Sequence, residues 1–286
     1  MLVSMKDMLQ HALKNGYAVG QFNINNLEWV GAVLSTAQQC RSPVILGVSS
    51  GTVKHMLGLK CIHDIVVNAI DYLHIDIPVA LHLDHGTTQE ACEAAIAAGF
   101  SSIMFDGSHL PFRENLAITH HLVTLAHSKG ISVEAELGTI AGSEDGIVNS
   151  EVIYADPQEC YTLVTETQVD CLAAALGSTH GLYKGKARLG FTEMKAIAER
   201  VKVPLVLHGG TGIADEDMRR AIACGTAKIN VNTENMYAWC QQVKAIFAAD
   251  TGHDVNDPRK VIAQGLQPVR EMIARRMALF GSQQRY

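Results

Sequence analysis

The chain has 286 residues, of which 48% are hydrophobic and 18% are charged, and its formal net charge is −6. An acidic chain without a block of basic residues is not typical of proteins that bind nucleic acids or anionic membranes. No apolar run approaches the roughly 18 residues of a membrane span, and the polar N-terminus lacks the apolar stretch of a signal peptide. The composition therefore favours a globular protein with a large core.

The cysteine usage indicates the redox compartment. The seven cysteines are scattered, odd in number and contain no CxxC pair. This pattern is typical of buried thiols in a reducing environment. We therefore expect a cytoplasmic protein.

Short β-branched segments alternate with amphipathic helical segments along the chain. The predicted strands span residues 17–23, 43–47, 78–84, 102–106, 132–138, 171–176, 204–208 and 227–231. The helices that follow them span residues 27–39, 60–73, 88–98, 114–129, 157–167, 192–202, 215–224 and a long segment from 233. Strict alternation predicts a parallel sheet. Eight such units in a chain of this length favour a closed (β/α)8 TIM barrel, with residues 1–286 as one domain.

Two segments lie outside this alternation. A helical segment at about 257–280 is predicted to be an appendage on the barrel. A long polar loop follows the fifth strand, and its Gly-flanked, acidic part at 139–146 is either a mobile lid that carries a catalytic acid or a plain exposed connection. An open, doubly wound sheet is the alternative architecture, but the first strand ends in Phe22-Asn23-Ile24-Asn25 rather than in a GxGxxG turn.

Three histidines follow predicted strands, each directly before a glycine: His85, His180 and His208. In a barrel, the carboxyl ends of the strands form the active-site face. Three neutral imidazoles with an open fourth position are typical of a catalytic zinc site. Any one of these histidines alone is explained as an ordinary loop residue, but their joint occurrence at three strand ends favours metal binding.

Acidic residues accompany these histidines. Asp84 directly precedes His85, where a carboxylate is either a general base or a support for a ligand. Asp106 and Glu136 are candidates for supporting groups or for an alternative metal position. Glu134 and Glu136 alternate along one strand and therefore face the same way, which requires a nearby cation or water.

The last two strands are followed by signals for a phosphate site. Gly209-Gly210-Thr211-Gly212 precedes the seventh predicted helix, and Asn232-Thr233 opens the eighth. Loops at these positions of a barrel often bind phosphate through backbone N–H groups. Lys184, four residues after His180, either adds a cation or is a solvated loop lysine.

Taken together, seven segments resemble the class II, metal-dependent ketose-bisphosphate aldolases over essentially the whole chain. The segments that carry the resemblance are YAVGQFN at 17–23, HLDHG at 82–86, DGSH at 106–109, VEAELG at 133–138, ALGSTHG at 175–181, LHGGTG at 207–212 and KINVNTE at 228–234. The resemblance implies that His85, His180 and His208 bind Zn²⁺. It also implies that Asp106 and Glu136 hold a displaced or second metal ion.

The resemblance further implies the catalytic groups. Asp84 would act as acid and base at the C4 hydroxyl of the sugar, and Glu144 in the mobile loop would handle the proton on the dihydroxyacetone phosphate half. Ser143 departs from the family pattern, in which some members have a second glutamate at that position. Lys228 is the lysine to consider for a Schiff-base route, but three histidine ligands make that route redundant.

The substrate contacts implied by the resemblance form a larger set that binds the two phosphates and the enediolate half. These residues are Asn23, Ser49, Gly181, Lys184, Gly209, Thr211, Asn230, Asn232, Thr233 and Arg259. Arg259 would reach across from a neighbouring subunit, which implies a homodimer or homotetramer. Backbone carbonyls near Gly181 and Gly209 resemble a site for Na⁺ or K⁺.

The sugar itself is left open between three candidates, all belonging to carbohydrate metabolism. Fructose 1,6-bisphosphate, the glycolytic sugar, ranks first because the tagatose branch of the family tends to have alanine at the positions of Gly210 and Asn232 and a second histidine at that of Gly86. Tagatose 1,6-bisphosphate ranks second, and the phosphorylated keto-deoxy acid of inositol breakdown ranks third. A barrel that only binds a sugar phosphate as a regulator, and a metal-dependent hydrolase, are the alternatives from other functional classes.

Overall fold

The structure is a computed structural model, which describes residues 2–144, 147–149, 152–181, 183, 185–250 and 255–286. Within these residues, no helix has the length and apolar character that crossing a bilayer requires. The strands are β1 Val19–Asn23, β2 Val44–Val48, β3 Val79–Gly86, β4 Ser102–Phe105, β5 Ser132–Leu137, β6 Ala141–Glu144, β7 Ile147–Asn149, β8 Cys171–Ala174, β9 Thr179–His180, β10 Leu205–Leu207 and β11 Thr226–Val231. The helices are α1 Met5–Lys14, α2 Leu27–Cys40, α3 Ser50–His55, α4 Leu59–Tyr72, α5 Gln89–Ala98, α6 Phe112–His127, α7 Pro157–Thr167, α8 Phe191–Val201, α9 Asp215–Ala223, α10 Thr233–Ala249, α11 Pro258–Gly265 and α12 Gln267–Phe280.

Eight parallel strands close into a barrel in the order β1-β11-β10-β8-β5-β4-β3-β2. The ring is completed by the pairing of the first and last strands, in which Val19 pairs with Lys228 and Phe22 with Val231. The predicted (β/α)8 barrel is therefore confirmed, and each of the eight predicted strands corresponds to one barrel strand. The helices pack outside the ring because their apolar stripes need a surface to bury.

The interior of the barrel changes from apolar to polar along its axis. Side chains two residues apart along a strand point to the same face, and β1 presents Val19, Gln21 and Asn23 in this way. Strand β3 presents Ala80, His82 and Asp84, all of them buried. The layer near the amino ends of the strands is hydrophobic, whereas the layers towards the carboxyl ends carry polar groups that need partners.

Helix α1, which the sequence analysis did not predict, closes the apolar end of the barrel. Its residues Met5, Met8, Leu9 and Ala12 are buried and belong to one hydrophobic cluster with interior residues such as Val19. The spacing of these residues places them on one face of a helix. Ser4 caps the helix by accepting a hydrogen bond from the N–H of Lys6.

Two further regions extend the barrel. The predicted C-terminal helical segment is present as α11 and α12, and α12 packs against α2, α9, α10 and β1. The region predicted as a polar loop after β5 instead contains strands β6 and β7, which form a small sheet with β9. The alternation of apolar and polar residues in this segment is too short to identify as strands from the sequence.

Candidate active site

Three histidines meet at the polar end of the barrel. His85 lies near the end of β3, His180 ends β9, and His208 directly follows β10. Their ring centroids lie 4.6 Å apart for His85 and His208, 5.1 Å for His85 and His180, and 5.8 Å for His180 and His208. Each ring offers one nitrogen to a group whose members all lie within 4.8 Å of one another. The sequence prediction that these three residues converge on one point agrees with this geometry.

The backbone of His85 is unusual. Its φ angle is 50°, in the left-handed region that residues with a side chain rarely adopt. The register of β3 against β4 shifts between Leu83 and Gly86. This irregularity lets two consecutive residues, Asp84 and His85, both reach the site, whereas regular strand geometry would point them to opposite faces.

Gly86 is required by the same turn. A Cβ atom at this position would lie 2.6 Å from Sγ of Cys92 and 2.7 Å from the carbonyl oxygen of Met104. Both neighbours are buried in the wall of the barrel, so there is no room for a side chain. Any larger residue here would displace the strand end that presents Asp84 and His85.

The partners of two of the imidazoles determine which nitrogen carries a proton. Nε2–H of His208 donates to Oε1 of Glu134 at 2.8 Å, and Nδ1–H of His85 donates to Oδ2 of Asp106 at 2.9 Å. We infer from these partners that Nδ1 of His208 and Nε2 of His85 carry lone pairs. These two nitrogens lie 2.9 Å apart, and two lone pairs at that distance repel unless a cation lies against both. The donor set therefore fits a metal ion such as Zn²⁺.

Burial keeps His180 and His208 neutral, as metal ligands must be. Burial and the neighbouring His85 and His208 lower the pKa of His180 well below its usual value. Burial also lowers the pKa of His208, and its hydrogen bond with Glu134 offsets only part of that effect. Both rings therefore offer lone pairs at neutral pH.

Glu134 connects the site to the interior of the barrel. Its Oε2 accepts a hydrogen bond from Nζ of Lys228 at 2.7 Å, and both side chains are fully buried. Burial by itself would raise the pKa of Glu134, but Lys228 and the hydrogen bond from His208 hold it well below its usual range. Lys228 is thus the cation that compensates Glu134, one of the two glutamates of β5. Its ammonium group is committed to this ion pair, which argues against a Schiff-base role.

Asp106 and Glu136 lie on the other side of His85. Oδ1 of Asp106 accepts hydrogen bonds from the hydroxyl and the backbone N–H of Ser108 at 2.6 and 3.1 Å. Burial and the adjacent Asp106 raise the pKa of Glu136 well above its usual value. Ligand atoms of His85, Asp106 and Glu136 also lie within 4.8 Å of one another. This second group matches the predicted displaced or second metal position.

Asp84 is held by two amides beside the histidines. Its Oδ2 accepts from Nδ2 of Asn23 at 3.1 Å, and its Oδ1 from Nδ2 of Asn230 at 3.4 Å. Burial would raise the pKa of Asp84, but His85, His208 and Lys228 lower it well below its usual range. Asp84 is therefore a buried, ionised carboxylate, which is the protonation state that can accept a proton.

A cavity of about 520 Å³ opens beside the histidines. His180 and Asn230 belong both to the polar cluster and to the wall of this cavity. The predicted substrate-binding residues that line it are Asn23, Ser49, Gly181, Gly209, Thr211, Asn230, Asn232 and Thr233. These residues come from the ends of β1, β2, β9, β10 and β11, so the barrel brings together loops that are distant in sequence.

Gly209 shows how closely these loops approach. Its φ is 64°, and a Cβ atom there would lie 2.2 Å from the carbonyl oxygen of Thr179. Only glycine fits this contact between the His180 and His208 loops. The Gly-rich sequence after β10 therefore has a packing reason, and it also exposes backbone to the cavity.

The structure leaves two of the predicted site residues wholly or partly undescribed. Lys184 lies outside the described residues, and so does the side chain of Glu144, although the backbone of Glu144 ends β6. That strand runs beside β9, where Gly142 pairs with His180, so the loop that carries Glu144 is attached next to a metal-ligand candidate.

Arg259 is exposed and pairs with Asp257 of its own chain at 3.0 Å, and it is not among the described residues that line the cavity. Its role across a subunit interface stays a prediction.

The sequence analysis missed one wall of the cavity. Trp29 on α2 and Met236, Trp239 and Cys240 on α10 line it, and the two indole rings are 6.2 Å apart. The residues of α10 follow Thr233 at helical spacing, so they share one face of the helix. That periodicity is present in the sequence, but which face meets the cavity depends on the docking of α10.

The chain matches known proteins over nearly its whole length. The family model described as "Fructose-bisphosphate aldolase class-II" matches residues 3–285. A fructose-bisphosphate aldolase of Geobacillus stearothermophilus is 53% identical over 281 residues, which cover 98% of this chain and 97% of that protein. A fructose-bisphosphate aldolase of Staphylococcus epidermidis is 51% identical, with 99% of both chains covered. Among solved structures, the YdjI aldolase of Escherichia coli K12 superposes with a TM-score of 0.86 at 32% identity over 99% of both chains.

The ion pair beneath the site generates a prediction about stability. Replacing Lys228 by methionine leaves the fully buried Glu134 without its cation, and removal of one partner of a buried pair costs about 3–5 kcal/mol. We expect Lys228→Met to lower the free energy of unfolding by that amount in urea denaturation. Lys195→Met is the matched control, because Lys195 is 69% exposed and 3.9 Å from Glu199; it should change stability by less than about 0.5 kcal/mol. A loss of stability as small as the control's would contradict the importance of the buried pair.

Proposed function

Because the chain belongs to the class II fructose-bisphosphate aldolase family, a family of lyases, we propose that it reversibly cleaves fructose 1,6-bisphosphate to dihydroxyacetone phosphate and glyceraldehyde 3-phosphate. The observation that carries the proposal is the grouping of three imidazoles with the buried Asp84 beside a cavity that residues of the glycine-rich loops line. The names of the relatives support the substrate, and the geometry supports the roles of Asp84 and the three histidines. The role of Glu144 rests on the family resemblance.

We propose that Zn²⁺ is the cofactor, held by His85, His180 and His208. When bound, zinc supplies Lewis-acid stabilisation of the negative charge that cleavage leaves on the ketone half of the sugar. Glu134 and Asp106 orient two of these imidazoles through their second nitrogens, as supporting carboxylates commonly do. The group formed by His85, Asp106 and Glu136 would hold a second metal ion. A Na⁺ or K⁺ ion near the carbonyls of Gly181 and Gly209 completes the proposed ion sites.

In the proposed cleavage, the carboxylate of Asp84 takes the proton of the C4 hydroxyl. The C3–C4 bond breaks as the C4 carbonyl forms, and the electron pair of that bond stays on C3. Glu144 then delivers a proton to C3, which completes dihydroxyacetone phosphate. Asn23 and Asn230 keep Asp84 aimed at the substrate by their amide hydrogen bonds. After the products leave, Asp84 releases its proton to solvent and Glu144 takes one up, so both return to their starting protonation states.

Gly86 supports fructose rather than tagatose bisphosphate as the substrate. The tagatose branch of the family tends to have a histidine at this position, and the surroundings of Gly86 leave no space even for a Cβ atom. Likewise, a Cβ atom at Gly210, where that branch tends to have alanine, would lie 2.7 Å from the carbonyl oxygen of Asn230. The two sugars differ only at C4, where Asp84 is proposed to act, and Gly86 follows Asp84 by two residues.

We also propose that the protein is a homodimer or homotetramer located in the cytoplasm, with the barrel and the C-terminal helices acting as one catalytic domain. The side chain of Arg259 is 88% exposed, so another copy of the chain can contact it. The outward side of α10 exposes Tyr237 and Phe247, which are residue types common at subunit interfaces. The seven cysteines are free thiols, as expected of a protein in a reducing compartment.

The substrate is tested by assaying the purified protein with fructose and tagatose 1,6-bisphosphate side by side. We expect release of dihydroxyacetone phosphate from both or from fructose bisphosphate alone, with kcat/KM higher for fructose bisphosphate. A higher kcat/KM for tagatose bisphosphate would assign the other epimer. If zinc-loaded protein cleaves neither sugar, the proposed substrate class is wrong and the phosphorylated keto-deoxy acid is the next substrate to assay.

The role of Asp84 is tested by Asp84→Asn, which keeps the shape of the side chain but cannot accept the proton. We expect kcat to fall by about 10²–10⁴-fold, the usual contribution of a general base. Zinc content and binding of dihydroxyacetone phosphate should be unchanged. Asp71→Asn, at an exposed position of α4, is the matched control and should have wild-type activity. Retention of activity by Asp84→Asn would assign the base to another residue.

The metal site is tested by zinc analysis of purified variants. We expect about one firmly bound zinc per wild-type chain, and its loss in His180→Ala, because that variant has only two of the three imidazoles. His109→Ala removes an exposed histidine and should retain the metal. A chelator should abolish cleavage, and added Zn²⁺ should restore it. Equal zinc in both variants would exclude His180 as a ligand.

A further inference from the structure

Arg276 is a buried cation on α12, outside the chemistry described above. The residue is 7% exposed. Its Nε and Nη2 atoms donate to the two carboxylate oxygens of Glu234 at 2.5 and 2.6 Å. Its Nη1 donates to Oδ1 of Asp215 at 3.4 Å. One guanidinium group thus joins two carboxylates that belong to two different helices.

These two carboxylates stand in the first turns of α9 and α10. The loop before α9 carries Gly209 and Thr211, and the residues at the start of α10 are Asn232 and Thr233. All four line the cavity. The two segments are also joined directly, because the backbone N–H of Glu234 donates to Oγ1 of Thr211 at 3.3 Å.

We propose that Arg276 is a positioning residue for phosphate binding, which holds the start of α9 and the start of α10 in the relative position that one phosphate group requires. The inference rests on the proposed function, since it assumes that these two loops bind a phosphate of the substrate. Arg276 acts through Glu234 and Asp215 and does not itself touch the ligand. The C-terminal helix α12 therefore has a part in substrate binding although it lies outside the eight βα units.

The charge of Glu234 is a second reason to assign this positioning role to Arg276. Glu234 directly follows Asn232 and Thr233, so its carboxylate lies within one helical turn of the proposed phosphate position. An uncompensated carboxylate there would repel a phosphate dianion. Bidentate pairing with Arg276 neutralises that carboxylate and directs it away from the cavity, towards α12. Lysine cannot replace this arrangement fully, because its ammonium group lacks the planar fork that binds two carboxylates at once.

The chain offers a matched control in the next residue. Arg275 is on the same helix and also approaches Asp215, with Nη2 3.7 Å from Oδ2, but its side chain is 68% exposed. Such exposed ion pairs contribute little. A comparison of Arg276→Met with Arg275→Met therefore separates the buried connection from a general loss of positive charge on α12.

The experiment measures binding of dihydroxyacetone phosphate to the zinc-loaded full-length protein by isothermal titration calorimetry, together with cleavage kinetics. We expect the Kd of Arg276→Met to rise by about tenfold or more, since the loss of even one hydrogen bond to a charged ligand group has an effect of this size. KM should rise in parallel with kcat nearly unchanged, as for loss of uniform binding. Arg276→Lys should be intermediate, and Arg275→Met should match the wild type. Zinc content should be the same in all four proteins.

Arg276→Lys retains the buried positive charge and serves as the test variant if Arg276→Met does not fold. The proposal is overturned if the folded, zinc-loaded Arg276 variants bind dihydroxyacetone phosphate within about twofold of the wild type, or if kcat falls while KM and Kd stay constant. An equal loss of binding in Arg275→Met would also overturn it. Failure of the proposed function gives a different result, because the wild-type protein would then neither bind dihydroxyacetone phosphate nor cleave the sugar.

Discussion

Glu134 lies inside the barrel with no exposed surface, and its two carboxylate oxygens are divided between Nζ of Lys228 and Nε2 of His208. A carboxylate at this depth is tolerated only because a cation and a hydrogen-bond donor compensate the loss of water. The pairing requires β5, β10 and β11 to be aligned along the barrel axis within a fraction of an ångström. The same contacts orient His208, so the interaction that makes the polar interior stable also prepares the candidate metal ligand.

The second constraint is the strained end of β3. A regular strand would present either Asp84 or His85 to the site, but not both. The left-handed backbone of His85 and the absence of a side chain at Gly86 resolve this conflict. Strain of this kind persists only where the surroundings over-determine it, and here Asp106 holds the ring of His85 while Asn23 and Asn230 hold Asp84.

Two groups of ion pairs support the site, although neither group belongs to the three candidate histidine ligands. Inside the barrel, Lys228 and Glu134 lie beneath the histidines. Outside it, Arg276 joins the starts of α9 and α10, whose preceding loops line the cavity. Lys228 and Glu134 are fully buried, and Arg276 and Glu234 are largely buried, whereas Asp215 is partly exposed. In each group a lysine or arginine compensates carboxylates that would otherwise disturb the site. The barrel thus places three imidazoles, the carboxylate of Asp84 and the cavity-lining glycines on one rim, and the charged groups behind that rim help to hold them in place.

Much of this arrangement could be read from the sequence. The alternation of β-branched and amphipathic segments determined the eight strand–helix units, because strand and helix periodicities depend on neighbouring residues only. The positions of His85, His180, His208 and Asp84 after predicted strands were sufficient to place them on one rim, since all strands of a parallel barrel end on the same side. The Gly-rich segment after the seventh predicted strand and Asn232-Thr233 after the eighth likewise indicated the position of the cavity.

Other features depended on the tertiary structure. The partner of Glu134 is 94 residues away in sequence, and nothing local distinguishes Lys228 as an ion-pair partner from a reactive lysine. Docking of distant segments decided three of these features. Helix α1 closes the barrel, β6 pairs with β9, and α10 turns the face that carries Trp239 towards the cavity. Arg276 and Arg275 are neighbours of the same residue type, and only the packing of α12 buries one and leaves the other in solvent. The sequence determined which chemical groups are available and on which elements they lie. Long-range packing decided which groups become partners, because burial and pairing energies depend on three-dimensional distance rather than on position along the chain.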